Sequence, residues 1–72
     1  MRNLIKERLK ELRKEKSLTQ KQVAKILNKS ETGYASWEQG LAEPSINDLI
    51  ALSSFYDVSI DYLVGKEDIE WL

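Results

Sequence analysis

Apolar and polar residues alternate along most of the chain with the period of an α-helix. Residues 3–15 carry Ile5, Leu9 and Leu12 at positions i, i+4 and i+7, with mostly charged residues between them. This spacing predicts an amphipathic helix that buries one apolar stripe. Asn3 is the expected N-cap, because its short side chain can accept a hydrogen bond from a backbone N–H of the first turn.

Two further helices follow, separated by a short connection. Thr19 and Gln22 fit the S/T-x-x-E/Q capping box, which predicts a helix start at residue 19. Asn28 tolerates the left-handed conformation that often ends a helix, Ser30 offers the next N-cap, and Gly40 provides the next stop. The sequence therefore predicts helices over 19–27 and 30–39. The expected apolar face of the first comprises Val23, Ala24, Ile26 and Leu27.

The last two predicted helices differ in how clearly the sequence marks them. Ser45 and Asp48 form a second capping-box-like start. Residues 58–64 alternate at period two, as a strand would, but Ser59 fits an N-cap and the apolar residues also fit one helical face. Because an isolated strand would have nothing to pair with, a fifth short helix is predicted. The apolar stripe of the fourth helix comprises Leu49, Ile50, Leu52, Phe55 and Tyr56.

Composition narrows the possible chemistry. Seventy-two residues suffice for one small domain, and the chain contains neither cysteine nor histidine. Disulfides, thiolate or imidazole metal sites and Ser-His or Cys-His nucleophile pairs are thereby excluded. We expect no metal, no cofactor and no enzymatic activity, because the three glycines form no phosphate loop and the carboxylates form no defined pair.

Hydropathy and charge indicate the cellular location of the chain and the class of molecule that it binds. The longest apolar run is only four residues, 49–52, and cations interrupt the N-terminal segment, so we expect no membrane span, no signal peptide and a cytoplasmic location. Residues 1–29 contain ten Lys/Arg and three Glu, a net charge of +7, whereas residues 30–72 sum to −8. Such a split indicates either a polyanion-binding surface or simply a solvated cationic helix.

Two capped helices joined by a tight turn at 19–39 form a helix-turn-helix pattern, in which the second helix can enter a DNA groove. Five separate sequence motifs make this assignment more specific. Over about residues 4–65 the chain resembles the Cro and lambda-repressor type (XRE family) DNA-binding domain. The five motifs are Leu18-Thr19-Gln20-x-x-Val23-Ala24, Leu27-Asn28-x-Ser30, Tyr34-x-x-Trp37-Glu38-x-Gly40, Pro44-Ser45-x-x-x-Leu49 and Val58-Ser59-Ile60-Asp61-Tyr62-Leu63.

This resemblance implies an all-α, five-helix, lambda-repressor-like domain over residues 1–65 that binds operator DNA, usually as a homodimer, in prokaryotes or their phages. It also implies a partly buried ion pair between Arg13 and Glu38. Positions matching base contacts are Gln20, Glu31, Thr32, Gly33 and Ser36. Positions matching phosphate contacts are Thr19, Ser30 and Gln39, to which charge adds Lys21 and Lys29, with Lys25 beside them.

Several of these residues also have a purely structural interpretation. Thr19 and Ser30 act as helix caps whether or not they also contact phosphate. Tyr34 and Trp37 fall on the inward spacing and are expected in the core rather than stacked on bases. Glu31 suits a helix N-terminus, although its carboxylate could also accept a hydrogen bond from cytosine N4.

Other positions depart from the family pattern. Gly33 replaces a side chain that usually reads a base and weakens its helix by about 1 kcal/mol relative to Ala. Residues 41–43 lack the basic side chains that often hold phosphate there. We therefore expect modest affinity for each monomer. The tail 66–72 contains Ile69, Trp71 and Leu72, which we expect either to dock on the monomer or to contribute to a dimer contact.

The sequence thus favours a sequence-specific transcriptional regulator, most simply a repressor associated with the nucleoid, that reads the major groove with residues 30–39. The alternative is an antitoxin-like or other protein-binding module that covers a basic partner with its acidic second half. A steep fall of DNA affinity with salt would distinguish the first from the second.

Overall fold

The computed structural model describes residues 3–66, which form five α-helices and no strand. The all-α, five-helix architecture predicted from the sequence is confirmed, including the short fifth helix within 58–64. The helices are α1 (Ile5–Glu15), α2 (Gln20–Ile26), α3 (Glu31–Gln39), α4 (Ile46–Tyr56) and α5 (Ile60–Val64). Along residues 3–66, no helix is both long and apolar enough to cross a bilayer.

Side-chain caps define where four of the helices begin. The hydroxyls of Thr19, Ser30, Ser45 and Ser59 each accept a hydrogen bond from a backbone N–H three residues later. Such a cap contributes about 1 kcal/mol, because it satisfies a backbone donor that has no partner within the helix. The N-terminal helix is the exception, and the prediction that Asn3 is its N-cap was wrong.

Leu4 occupies the N-cap position of α1 and provides no side-chain cap. The backbone N–H of Leu4 instead donates to the Val64 carbonyl at 3.0 Å, which ties the start of α1 to the end of α5. This long-range bond moves the helix start to Ile5. Asn3 still contributes, since its Oδ1 accepts from the Ile5 N–H at 3.1 Å from one position further out.

The hydrophobic core takes one fully buried aliphatic or aromatic side chain from each helix. These five residues are Leu9, Val23, Tyr34, Leu52 and Leu63. Trp37 joins this core, with its ring 5.7 Å from that of Tyr34 in an edge-to-face arrangement. Both aromatic residues of α3 are therefore buried, as their spacing predicts, and they hold that helix against the body of the domain.

Two isoleucines expected in the core are exposed. Ile26 is 54% exposed and Ile50 is 51% exposed. Each lies two residues from a buried neighbour, Ala24 or Leu52, and two residues correspond to about 200° around a helix. The buried residues fix which side faces inward, so both isoleucines are turned outward. The predictions for Ile69, Trp71 and Leu72 concern residues outside the described part of the chain.

Candidate nucleic-acid interface

The second and third helices form the helix-turn-helix motif. The turn between them passes through Asn28, which has a positive φ of 59°, and closes with a 2.8 Å hydrogen bond from the Lys29 N–H to the Ala24 carbonyl. Asn28 thus takes the left-handed conformation that the sequence predicts for it. α3 packs against both α1 and α2. The motif is thereby fixed on the body by its inner side.

The outer side of α3 faces solvent along its first turn. Glu31 and Thr32 are exposed, Gly33 and Ser36 are half-buried, and Gln39 at the end of the helix is exposed. Four of these are predicted base contacts and the last is a predicted phosphate contact. The structure brings them together on one helix: Thr32, Ser36 and Gln39 lie on the side away from the buried aromatic residues, and Glu31 is exposed at the first turn.

Two residues predicted to contact phosphate act as helix caps, and their hydroxyl groups can still donate a hydrogen bond. Thr19 Oγ1 accepts from the Gln22 N–H at 3.1 Å, and Ser30 Oγ accepts from the Gly33 N–H at 3.0 Å. A hydroxyl that accepts a hydrogen bond still has its own hydrogen to donate. Each residue can therefore cap its helix and donate to a phosphate oxygen at the same time.

A buried network joins the first three helices beneath the exposed surface. Arg13 Nε donates to Glu38 Oε2 at 2.7 Å, and Arg13 Nη2 donates to Glu38 Oε1 at 3.0 Å. Gln20 Nε2 also donates to Glu38 Oε1, at 3.1 Å. Arg13 Nη1 reaches the Leu18 carbonyl at 2.9 Å, which holds the connection before α2. The network sets the position of the motif relative to α1.

The protonation of this network follows from its contacts. Burial alone would raise the pKa of Glu38, which is fully enclosed, but hydrogen bonds from Arg13 and Gln20 lower it below the ordinary value. The pairing with Glu38 raises the pKa of Arg13, although burial opposes it. Burial also raises the pKa of Tyr34. The carboxylate is therefore ionised and bound from two helices at neutral pH.

Gln20 is therefore only partly available as a base reader. One hydrogen of its side-chain amide is engaged by Glu38, and the side chain is half-buried. An amide has a second hydrogen and a carbonyl oxygen with which to contact DNA. The contact with Glu38 fixes the orientation of the amide, which no local sequence pattern predicts.

Lys29, a predicted phosphate contact, is paired within the protein. Its Nζ lies 2.9 Å from Asp48 Oδ1, so the turn before α3 is linked to the first turn of α4. The Lys29 hydrogen bond lowers the pKa of Asp48, against a smaller effect of burial. To bind phosphate, Lys29 has to share its ammonium group with this carboxylate.

An open groove of about 360 Å³ runs beside the motif and is rich in cations. Lys21 and Lys25 lie one helical turn apart on α2, and both are exposed. Lys25, which the sequence places beside the predicted phosphate contacts Lys21 and Lys29, lines this groove together with them. The groove is lined by Lys21, Ala24, Lys25, Asn28, Lys29 and Glu31.

Comparisons with known proteins also identify a helix-turn-helix domain. The family model for helix-turn-helix domains matches residues 9–63. The chain belongs to the helix-turn-helix family. It is 39% identical over 62 residues to the HTH-type transcriptional regulator ImmR of Bacillus subtilis, covering 86% of this chain and 49% of that protein.

Two other relatives have more specific names. The chain is 40% identical over 63 residues to the HTH-type transcriptional activator BcrR of Enterococcus faecalis, covering 88% of this chain and 31% of that protein. It is 37% identical over 62 residues to the cryptic phage CTXphi transcriptional repressor RstR of Vibrio cholerae, covering 86% and 55%. The chain spans about half the length, or less, of these curated relatives.

A crystal structure of a transcriptional regulator from Listeria innocua has the same fold. It superimposes with a TM-score of 0.88 at 32% sequence identity, covering 100% of this chain and 65% of that chain. The likeness extends beyond the two helices of the motif to the whole five-helix arrangement.

Proposed function

We propose that this chain is a sequence-specific DNA-binding transcriptional regulator that inserts the N-terminal half of α3 into the major groove. The observation that carries the proposal is that buried side chains anchor α3 while its first turn is exposed. Tyr34, Trp37 and Glu38 are buried and fix the helix, while Glu31 and Thr32 project from its leading turn. A rigid helix presented in this way has the geometry that major-groove readers use.

The exposed side chains divide into two kinds of DNA contact. Thr32, Ser36 and Glu31 lie where side chains meet base edges, and Glu31 can favour a C·G pair by accepting from cytosine N4. Thr19, Ser30 and Gln39 flank them at the starts of α2 and α3 and at the end of α3, where hydroxyl and amide donors contact phosphate. The first kind would specify sequence and the second would fix register.

The distribution of charge supports the same orientation. Lys21 and Lys25 extend from α2 on the flank of α3, and Lys29 follows in the turn. Of the acidic residues between positions 30 and 66, only Glu31 and Glu38 belong to α3, and Glu38 is buried in its pair with Arg13. The groove between α2 and α3 is therefore the natural place for one strand of the DNA backbone.

Two copies would occupy a two-fold site, each placing α3 in one of two successive major grooves about 34 Å apart. We further propose that bound protein represses transcription by occluding polymerase. One relative is named as a repressor, which supports repression, whereas another is named as an activator. The domain would act in the cytoplasm, where bacterial DNA lies.

Selection of bound sites from a random duplex library tests this function. We expect a roughly palindromic consensus, and an affinity for the selected duplex that falls steeply as salt rises. Thr32→Ala should weaken binding to the consensus by about 1–3 kcal/mol and leave binding to random DNA unchanged. Asp61→Ala, at an exposed position of α5, is the matched control and should change neither affinity. No enriched sequence, or salt-insensitive capture of a protein instead of DNA, would contradict the proposal.

A further inference from the structure

The exposed face of α4 carries no charge. α1 and α4 each contain 11 residues, yet the exposed positions of α1 are all charged: Lys6, Glu7, Lys10, Glu11, Lys14 and Glu15. The exposed positions of α4 are Ile46, Asn47, Ile50, Ala51 and Ser54. In a chain in which 32% of residues are charged, a whole helix face without charge is unusual for a solvated surface.

This uncharged α4 face also holds two of the four large apolar side chains that are exposed within residues 3–66. Ile46 is 75% exposed and Ile50 is 51% exposed, one helical turn apart. Leu41, in the loop between α3 and α4, is 78% exposed. Water contact at three large aliphatic side chains is unfavourable, so burial of the face against another surface would stabilise the protein.

The uncharged face is attached firmly to the helix-turn-helix motif. The backbone N–H groups of Leu41 and Ala42 both donate to the Ser36 carbonyl of α3, at 3.0 and 3.3 Å. The first turn of α4 is held to the turn before α3 by the ion pair between Lys29 and Asp48. A partner bound to this face is therefore held at a set position relative to α3.

We propose that the uncharged α4 face, with Leu41 beside it, binds the same face of a second copy of this chain. The inference rests on the proposed function, in which two copies occupy one site. In a two-fold contact each residue near the axis meets its own counterpart, so a charged face would meet like charge. A neutral face of isoleucine and small residues meets itself without that repulsion and allows close approach of two helices.

The same features disfavour other occupants. Nucleic acid requires cations, and α4 has none. A helix that lies on a membrane combines its apolar face with lysine or arginine on the polar side, which α4 also lacks. A strongly acidic or basic protein would find no opposite charge here. A second copy is the partner that this face matches in both polarity and charge.

The size of the face indicates how the pair forms. Three partly exposed aliphatic side chains provide a patch of about a few hundred Å². A stable interface usually buries about 800 Å² on each partner. The contact is too small to hold free monomers together at low concentration, but DNA brings two copies side by side. Pairing is therefore expected on the DNA, where it makes binding cooperative and sets the spacing of the half-sites.

Single cysteines test the contact directly, since the chain contains none. The Ile50→Cys variant should be crosslinked by bifunctional maleimides to a second copy of itself, both on the selected duplex and at millimolar protein without DNA. The Ile26→Cys variant, with a thiol at a position of closely matched exposure on α2, should not be. Absence of the Ile50→Cys crosslink under both conditions would overturn the proposal. So would much slower maleimide labelling of Ile50→Cys than of Ile26→Cys in dilute protein, because the face would then be covered within one monomer.

Binding to whole and half sites separates this inference from the proposed function. Replacing Ile46 and Ile50 with Gln should weaken binding to a duplex with two half-sites by about 10- to 100-fold and abolish cooperativity. Binding to a single half-site should not change, and Ile26→Gln should change neither. Unchanged cooperativity would overturn the α4 contact alone. Failure of the unmodified chain to bind any duplex would overturn the proposed function, and the crosslink without DNA would still test the contact.

Discussion

Gln20 and Glu38 are in direct contact, with Gln20 Nε2 donating to Glu38 Oε1 at 3.1 Å. The first residue of α2 is thereby joined to the C-terminal part of α3, and Arg13 holds the same carboxylate from α1. A fully buried carboxylate is stable only because both of its oxygens are hydrogen-bonded. Glu38 therefore holds the motif together without reaching its surface.

Glu38→Ala should lower the free energy of unfolding by about 3–5 kcal/mol, because it leaves the Arg13 guanidinium without its partner in a partly buried position. Urea denaturation followed by circular dichroism measures this change. Glu15→Ala, at an exposed position of α1, is the matched control and should change stability by less than about 0.5 kcal/mol. Equal effects of the two substitutions would show that the buried network contributes nothing.

Acid should destabilise the domain through the same residue. The pKa of Glu38 is lower in the folded protein than in the unfolded chain, where its ordinary value is 4.5. Its stabilising contribution is therefore complete above that value and is lost as pH falls towards the folded pKa. Urea titrations between pH 6 and pH 3 should give a shallower loss of stability for Glu38→Gln than for the unmodified chain. Parallel curves would contradict this assignment.

Gly33 and Ser30 should be coupled energetically. A Cβ at position 33 would lie 2.9 Å from Ser30 Oγ, the atom that caps α3. In the unmodified chain, Gly33→Ala should therefore leave stability almost unchanged, because a gain of about 1 kcal/mol in helix propensity is offset by loss of the cap. In a Ser30→Ala background the same substitution should stabilise by about 1 kcal/mol. Identical effects in both backgrounds would exclude the steric conflict.

Glu31 is the most informative position for specificity. Glu31→Gln removes a negative charge from the exposed start of α3 and should strengthen binding to random DNA while weakening preference for the consensus base. Fluorescence anisotropy with specific and random duplexes at several salt concentrations measures both effects. Asp61→Asn, at an exposed position of α5, removes the same charge away from α3 and should change neither affinity. No change in either affinity would mean that Glu31 serves only the helix N-terminus.

Local signals in the sequence predicted much of the fold. Helix starts at Thr19, Ser30, Ser45 and Ser59 were predictable, because a cap involves only residues three apart. The outward direction of Ile26 and Ile50 was not, since each lies in a run of apolar residues that covers more than one helix face. Their exposure depends on which neighbours, Ala24 and Leu52, the other helices bury.

The candidate site, like the fold, was predictable from local sequence only in part. The spacing of the buried aromatic residues of α3 made Thr32 predictable as exposed, whereas Glu31 is exposed because it lies in the first turn. The contacts of Gln20 with Glu38 and of Lys29 with Asp48 join residues 18 and 19 positions apart. Such pairings depend on how the helices pack, and no local pattern in the sequence specifies them.

Methylation of bound DNA by dimethyl sulfate tests most directly whether α3 enters the major groove. The reagent modifies guanine N7 in the major groove and adenine N3 in the minor groove, so one experiment reports on both. We predict protection of guanine N7 in two clusters about one helical turn apart, with adenine N3 unaffected between them. Unprotected guanine N7 throughout the bound site, or protection confined to adenine N3, would contradict the account.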